Sequence, residues 1–309
     1  MSRLPFVVVG EALVDIVVPV AGETTEAVGG SPLNVAVGLA RLEVPTLLIT
    51  RVGDDERGSR VVDHVRGAGA EVTGSSVVPG TRTSTATARL GETGAASYEF
   101  DLVWDLAHHT LPDAAALHVG SLGASLPPGR DAVFDLVRQA EERGLLVSYD
   151  PNVRPALMSD PEVAWRDLTG LAGHCRLVKV SDEDLAALRP DVPLEELAHG
   201  LLRESTELVV VTRGAAGASA YTPGLAVHEP ALSVDVVDTV GAGDSFMAGL
   251  LAVLDGWDVP EDGPGALDAL DEDHLRLLLR GALAVAAVTC SRRGADPPRR
   301  PELPTTWPL

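Results

Sequence analysis

Leu208-Val209-Val210-Val211-Thr212-Arg213-Gly214-Ala215-Ala216-Gly217 is the stretch whose reading decides the fold. An unbroken aliphatic run without polar alternation suits a strand covered on both faces, which is how strands sit in a parallel sheet flanked by helices. The glycines after it make a turn where such sheets bind ligands. Working outward, Phe6 to Val9, Leu47 to Val52, Leu117 to Val119, Leu145 to Tyr149 and Leu177 to Val180 read the same way. Helix-period apolar positions mark Asn34 to Leu42, Arg60 to Arg66, Ala132 to Glu142 and Leu194 to Leu202, and two more helices are expected at Ser245 to Leu254 and His274 to Cys290. Strands alternating with helices predict a three-layer α/β/α domain with a mostly parallel central sheet. The 309 residues fit one such domain, and 1–309 is expected to be a single unit.

Two stretches break the rhythm. Ala12 to Val20 and Thr83 to Phe100 are short, polar and alternating, the second with a turn at Gly91-Glu92-Thr93-Gly94. They predict a small one-faced antiparallel sheet, with segments near 12–30 and 76–106. Such a sheet needs a cover for its apolar side, so it is read either as a lid over a ligand, as a dimer surface, or as a hairpin packed on its own core. The Pro- and Arg-rich end, Arg292 to Leu309, is expected to wrap the surface or fray.

Composition removes several classes. No apolar run reaches the roughly 18 residues a membrane span needs, and the start of the chain reads as a strand rather than a cleaved signal, so a cytoplasmic enzyme is expected. A formal charge of −21 argues against nucleic acid or anionic membrane surfaces as partners. Cys175 and Cys290 have no companion at metal or disulfide spacing and read as small hydrophobes. The chain has a single lysine, Lys179, so lysine-dependent motifs can be tested at one place.

Asp238-Thr239-Val240-Gly241-Ala242-Gly243-Asp244 follows a strand-like apolar stretch and opens a helix. Glycines at a helix N-terminus let backbone N–H groups approach an anion. A carboxylate directly after such a nest would repel a phosphate but can take a hydroxyl proton beside it, or it can simply cap its own helix. Phe246 stands where a dinucleotide fingerprint wants a small residue, and Lys179 follows Val178 instead of the glycine of a Walker A loop. The nest is of another kind.

Three segments together, Gly29-Gly30-Ser31-Pro32-Leu33-Asn34, Arg51-Val52-Gly53-Asp54-Asp55 and the Asp238 to Asp244 run, resemble in order and spacing the signatures of the ribokinase-like (PfkB) carbohydrate kinases. The resemblance implies the α/β/α fold with a β-sheet lid, ATP-dependent phosphorylation of a sugar hydroxyl, and a homodimer through the lid. It implies Asp244 as general base and Gly241, Ala242 and Gly243 as the anion hole. Asp15, Gly30, Asn34 and Phe100 take positions that contact the sugar. Lys179, Thr212, Gly214 and Gly217, with Gly243, take nucleotide-binding positions. Ser181 and Asp184 stand where relatives carry an Asn-x-x-Glu motif that organises Mg²⁺, which marks Asp184 as the metal-linked carboxylate. Asp238 marks the neighbourhood of a monovalent cation, so K⁺ is an expected activator.

Asp150-Pro151-Asn152-Val153-Arg154, with Gly10-Glu11 and Asp15, resembles the fructokinase branch, whose pattern is shared with 2-keto-3-deoxygluconate kinases. Fructose is the first expected acceptor, with Asn152 and Arg154 at the sugar. Arg154 suits a planar anion, phosphate or substrate carboxylate, and otherwise reads as a surface arginine. Aromatic residues, 4% of the chain, are scarce for stacking a nucleoside acceptor. The alternative of another class is a catalytically silent sugar-binding protein of the same fold.

Overall fold

The computed structural model describes residues 3–91, 96–158, 160–203 and 205–307. In chain order the strands are β1 Phe6–Val9, β2 Leu13–Val18, β3 Thr25–Gly29, β4 Thr46–Ile49, β5 Val52–Gly53, β6 Glu71–Val72, β7 Val77–Val78, β8 Thr85–Leu90, β9 Ala96–Asp101, β10 Ala116–Gly120, β11 Leu146–Asp150, β12 Leu177–Ser181, β13 Leu208–Thr212, β14 Ala218–Tyr221 and β15 Ala226–Glu229. The α-helices are α1 Ser31–Arg41, α2 Glu56–Ala68, α3 Gly129–Glu142, α4 Pro161–Ala172, α5 Asp182–Leu188, α6 Leu194–Leu201, α7 Ala242–Gly256 and α8 Glu272–Cys290.

The main sheet has the order β15-β14-β13-β12-β11-β10-β1-β4-β6 and is parallel except where β14 and β15 add antiparallel to one edge. Alternation along the aliphatic runs splits the core in two. In β13, Leu208 and Val210 face a layer built by α1, α2, α7 and α8, while Val209 and Val211 face one built by α3, α4, α5 and α6. A strand apolar at every position is what two covered faces require. α7 runs through the first layer with Asp244 to Asp255 buried continuously. Residues 292–307 wrap onto that layer: Leu303 and Trp307 are buried there, and the Trp307 indole donates to the Gly281 carbonyl at 2.9 Å.

The two exceptional stretches do meet, in a four-stranded sheet of order β3-β2-β8-β9. Its pairing differs from the expectation in one respect: β2 and β8 run parallel, joining two antiparallel pairs. The expected turn at Gly91-Glu92-Thr93-Gly94 lies, from Glu92 on, outside the described residues. One face, with Val14, Ile16 and Val28, packs on the first core layer. On the other, Asp15 pairs with Ala86 and Ala86 with Phe100, so Asp15 and Phe100 stand in one row on one face.

The strand-like stretch before Asp238 is not a strand. Val234, Val236 and Val237 are exposed, and the chain there is held by the N–H groups of Val237 and Asp238, both donating to the Cys290 carbonyl. β-branched residues favour extended backbone, but without a neighbouring strand no ladder forms. Cys175 is fully buried, as expected, whereas Cys290 is only half-buried. Among the described residues no helix is long and apolar enough to cross a membrane.

Candidate active site

The candidate residues converge on the C-terminal edge of the parallel strands. Gly120 is in register with Asp150, and Ser181 with Thr212, so the ends of β10 to β13 form one polar rim. Over this rim lie the N-termini of α1 and α7 and the stem of the small sheet.

Gly241 is the N-cap of α7 and has φ +74°, in the left-handed region. A side chain there would also strike Ala295, at 2.5 Å from its Cβ. No side chain caps this helix, so its first-turn N–H groups have no intrahelical partner. Ala242 turns its own N–H back to the Thr239 carbonyl at 3.2 Å, which leaves the end of the nest, towards Gly243, as the part open to an anion.

Asp244 sits in the first turn of α7 but does not cap it. Its Oδ1 accepts from the Ser31 hydroxyl at 2.7 Å and its Oδ2 from the Asn34 amide at 2.8 Å, both from the first turn of α1. The carboxylate is 7% exposed. The start of α1 is placed by Gly30, whose φ is +113° and where a Cβ would stand 2.5 Å from the Glu11 carbonyl. The Ser31 contact spans more than two hundred residues of chain, so nothing local to its motif records it.

Asp15 is exposed at one edge but crowded by protein on the other, so desolvation raises its carboxyl, Arg154 opposes the rise, and Asp244 adds to it. Arg154 is exposed and donates to the Asn152 side-chain Oδ1 at 2.6 Å. Asn152 has φ +42°, a left-handed conformation that asparagine tolerates, which turns its side chain toward Arg154. Asn152 and Arg154 also line a cavity of about 290 Å³ reaching toward α4.

Lys179 is buried, and its ammonium pairs with Asp150 Oδ2 at 2.8 Å. A Cβ on Gly243 would lie 3.1 Å from this nitrogen, so the cation sits directly beneath the nest rather than reaching into the open rim. Burial pushes the Asp150 carboxyl up to about 6 despite the neighbouring cation. Lys179 is held charged in turn: burial disfavours its charge, but Asp150, then Asp184 and Asp244, more than offset this.

Asp184, expected near the metal, spends Oδ1 on the Val153 N–H at 2.8 Å and Oδ2 on the Ser181 N–H at 3.0 Å, closing a capping box on α5. That geometry ties the Asn152 to Arg154 turn to β12 and does not suit a direct metal ligand. Among the described residues there is no group of three or more acidic, His or Cys side chains able to hold a metal. Asp238 accepts from Gly294 N–H at 2.8 Å and Val240 N–H at 3.1 Å, the bond from Gly294 doing most to hold its carboxyl low. Thr212 ends β13 beside Ser181, and the turn after it carries Gly214 at φ +49° and Gly217 at φ +95°.

The chain matches the model of the pfkB family carbohydrate kinases over residues 5–302. It belongs to that family. It is thus an ATP-dependent sugar kinase, with the α/β/α fold and the small separate sheet of ribokinase-like enzymes. It is 34% identical to the fructokinase of Klebsiella pneumoniae over 293 residues, covering 91% of this chain and 92% of that one. It is 32% identical to the probable fructokinase-4 of Arabidopsis thaliana over 305 residues, covering 93% and 91%. Among solved structures, the fructokinase of Xylella fastidiosa with bound ATP superposes with a TM-score of 0.81 at 27% identity, over 94% of this chain and 93% of that one. A double mutant of the Vibrio cholerae O395 fructokinase, solved with fructose, ADP and potassium, gives 0.77 at 27% identity, over 96% and 95%.

Glu11, part of the Gly10-Glu11 pair that carries the resemblance but given no role by it, is 6% exposed. Burial lifts its carboxyl from 4.5 to about 7, opposed first by the hydrogen bond from the Gly123 N–H and least by the charge of Arg154. The folded value lies above the unfolded one, so the stability contributed is complete below pH 4.5 and lost as pH rises through about 7. Glutamine mimics the protonated form. In thermal melts Glu11→Gln is expected to match the parent near about pH 4 and to exceed it near about pH 8, by at most about 3 kcal/mol. A parent melting at or above the variant at the higher pH would show that ionised Glu11 carries no such cost.

Proposed function

We propose that this kinase phosphorylates fructose, with Asp244 as the general base that receives the proton of the attacking hydroxyl. The observation that carries the reading is the grip on Asp244. Two donors from α1 hold both carboxylate oxygens, so the group is aimed across the rim instead of serving its own helix. A carboxylate held this way is pre-oriented, and the nest beside it offers N–H groups where negative charge develops on phosphoryl transfer.

In this reading Asp15, Asn34, Asn152 and Arg154 orient the acceptor's hydroxyls, with Gly30 leaving room at the start of α1. Phe100, in the same row as Asp15, faces the sugar from the small sheet, which acts as the lid. A second copy packed on that sheet as a homodimer would cover Val17, now 37% exposed. The nucleotide lies along the turn after β13, near Thr212, Gly214 and Gly217, its phosphates toward Gly243 with Lys179 below. The divalent metal enters with ATP as part of the substrate, because neither Asp184 nor any acidic cluster among the described residues suits a cage. Potassium, present in the Vibrio cholerae structure, belongs in this reading near Asp238.

A coupled ADP assay over fructose, 2-keto-3-deoxygluconate, ribose and adenosine tests the proposal. Fructose is expected to give the highest kcat/KM. Preference for the acid sugar would replace fructose and assign Arg154 to its carboxylate. No turnover with any of the four would favour a silent sugar binder.

A further inference from the structure

The first and last connections between the two sheets, Glu11 just before β2 and Trp104 just after β9, converge on one residue. The Glu11 carboxylate accepts the Gly123 N–H at 2.8 Å, and the Trp104 indole donates to the Gly123 carbonyl at 2.9 Å. Both contacts are buried. The fit is close: a Cβ on Gly123 would stand 2.7 Å from Gly10 Cα and 3.2 Å from the Trp104 ring. The indole is wedged in turn against Gly129 at the start of α3, whose N–H donates to the Trp104 carbonyl at 3.0 Å. Gly30 lies against the Glu11 backbone, where a Cβ would stand 2.5 Å from the Glu11 carbonyl oxygen, so the second connection, into α1 with Ser31 and Asn34, packs on the first.

We propose that Glu11 is a positioning residue for the acceptor site: with Trp104 it clamps Gly123, one by its N–H and the other by its carbonyl, and thereby fixes where the small sheet leaves the main one. Asp15 and Phe100 are carried by that sheet, and the donors that hold Asp244 follow the connection packed on Glu11. Loosening the clamp therefore displaces groups on the sugar side while leaving the turn after β13 untouched. The clamp needs only an acceptor at residue 11, because a protonated carboxyl or a glutamine amide presents a carbonyl oxygen to the Gly123 N–H as well as a carboxylate does. This inference rests on the acceptor site assigned above but not on which sugar fills it.

The test compares Glu11→Ala, Glu11→Gln and Trp104→Phe, using the acceptor that the parent turns over fastest. Glu11→Ala is expected to raise the acceptor KM roughly tenfold, the scale of a buried donor left unpaired, with the ATP KM within about twofold. Glu11→Gln is expected to stay within about threefold of the parent, and Trp104→Phe, which keeps an aromatic ring but is smaller and lacks the N–H, to raise the acceptor KM about threefold. Amide exchange of the peptide containing Gly123 is expected to accelerate in Glu11→Ala whatever the acceptor, which separates failure of the clamp from failure of the fructose assignment. A lower kcat with both KM values unmoved, or Glu11→Gln as damaging as Glu11→Ala, would overturn the proposal. If Glu11→Ala does not fold, Trp104→Phe decides: an unchanged acceptor KM overturns the clamp.

Discussion

Asp244→Asn is expected to fold as the parent does and to lose roughly 10² to 10⁴ in kcat, about 3 to 5 kcal/mol of barrier. The geometry makes this substitution a clean probe. Asp244 receives one hydroxyl and one amide donor, and an asparagine side chain is satisfied at the same place if the Ser31 hydroxyl rotates to donate or accept as needed. Shape and local hydrogen bonding thus survive while the capacity to take a proton is removed. Sugar and nucleotide affinities, measured by calorimetry with a non-hydrolysable ATP analogue, should change far less than kcat, since the lost interaction belongs to the transition state. A folded variant within about threefold of the parent's kcat would remove Asp244 from the role of base.

Lys179→Met is expected to cost about 3 to 5 kcal/mol of folding stability, the scale for stripping one partner from a buried ion pair. Asp150 is then left in a fully buried position with no cation. It can escape only by taking a proton, and because its carboxyl already sits near about 6 with the lysine present, removal of the cation moves it higher still. The deficit should therefore widen as pH rises from about 6 to about 8, where holding Asp150 ionised is most costly. Urea denaturation at both pH values reads this directly. The double variant Asp150→Asn with Lys179→Met should recover most of the loss, since neither charge remains buried. A single variant within about 1 kcal/mol of the parent at the higher pH would show that the pair contributes little.

How much of this was legible in the sequence depends on the distance over which each contact acts. β1 and β13 coincide with their aliphatic runs, because a strand buried on both faces writes its burial into every residue. α4 was missed: its apolar face is carried by few residues, among them Leu168, Leu171 and Ala172, and its start is set by the Asp160 cap and Pro161. β14 and β15 were missed because Ala218-Ser219-Ala220-Tyr221 and Ala226-Val227-His228-Glu229 are short and carry few large aliphatic residues. The parallel pairing of β2 with β8 joins segments about seventy residues apart, which no local pattern records. At the site, the Gly241 to Asp244 motif showed what could be present. That Asp244 turns to Ser31 and Asn34, that Lys179 lies under Gly243, and that Glu11 meets Gly123 are facts of tertiary packing, where residue type permits a partner without naming it.

The burial of Lys179 has a practical consequence. The chain has no other lysine, and this side chain is only 5% exposed. Apart from the amino terminus, the native surface offers amine-directed reagents almost nothing to react with. Acylation at this position therefore counts molecules in which the sheet has opened beneath the nest, and the lysine serves as a built-in chemical clock for local unfolding at the heart of the enzyme.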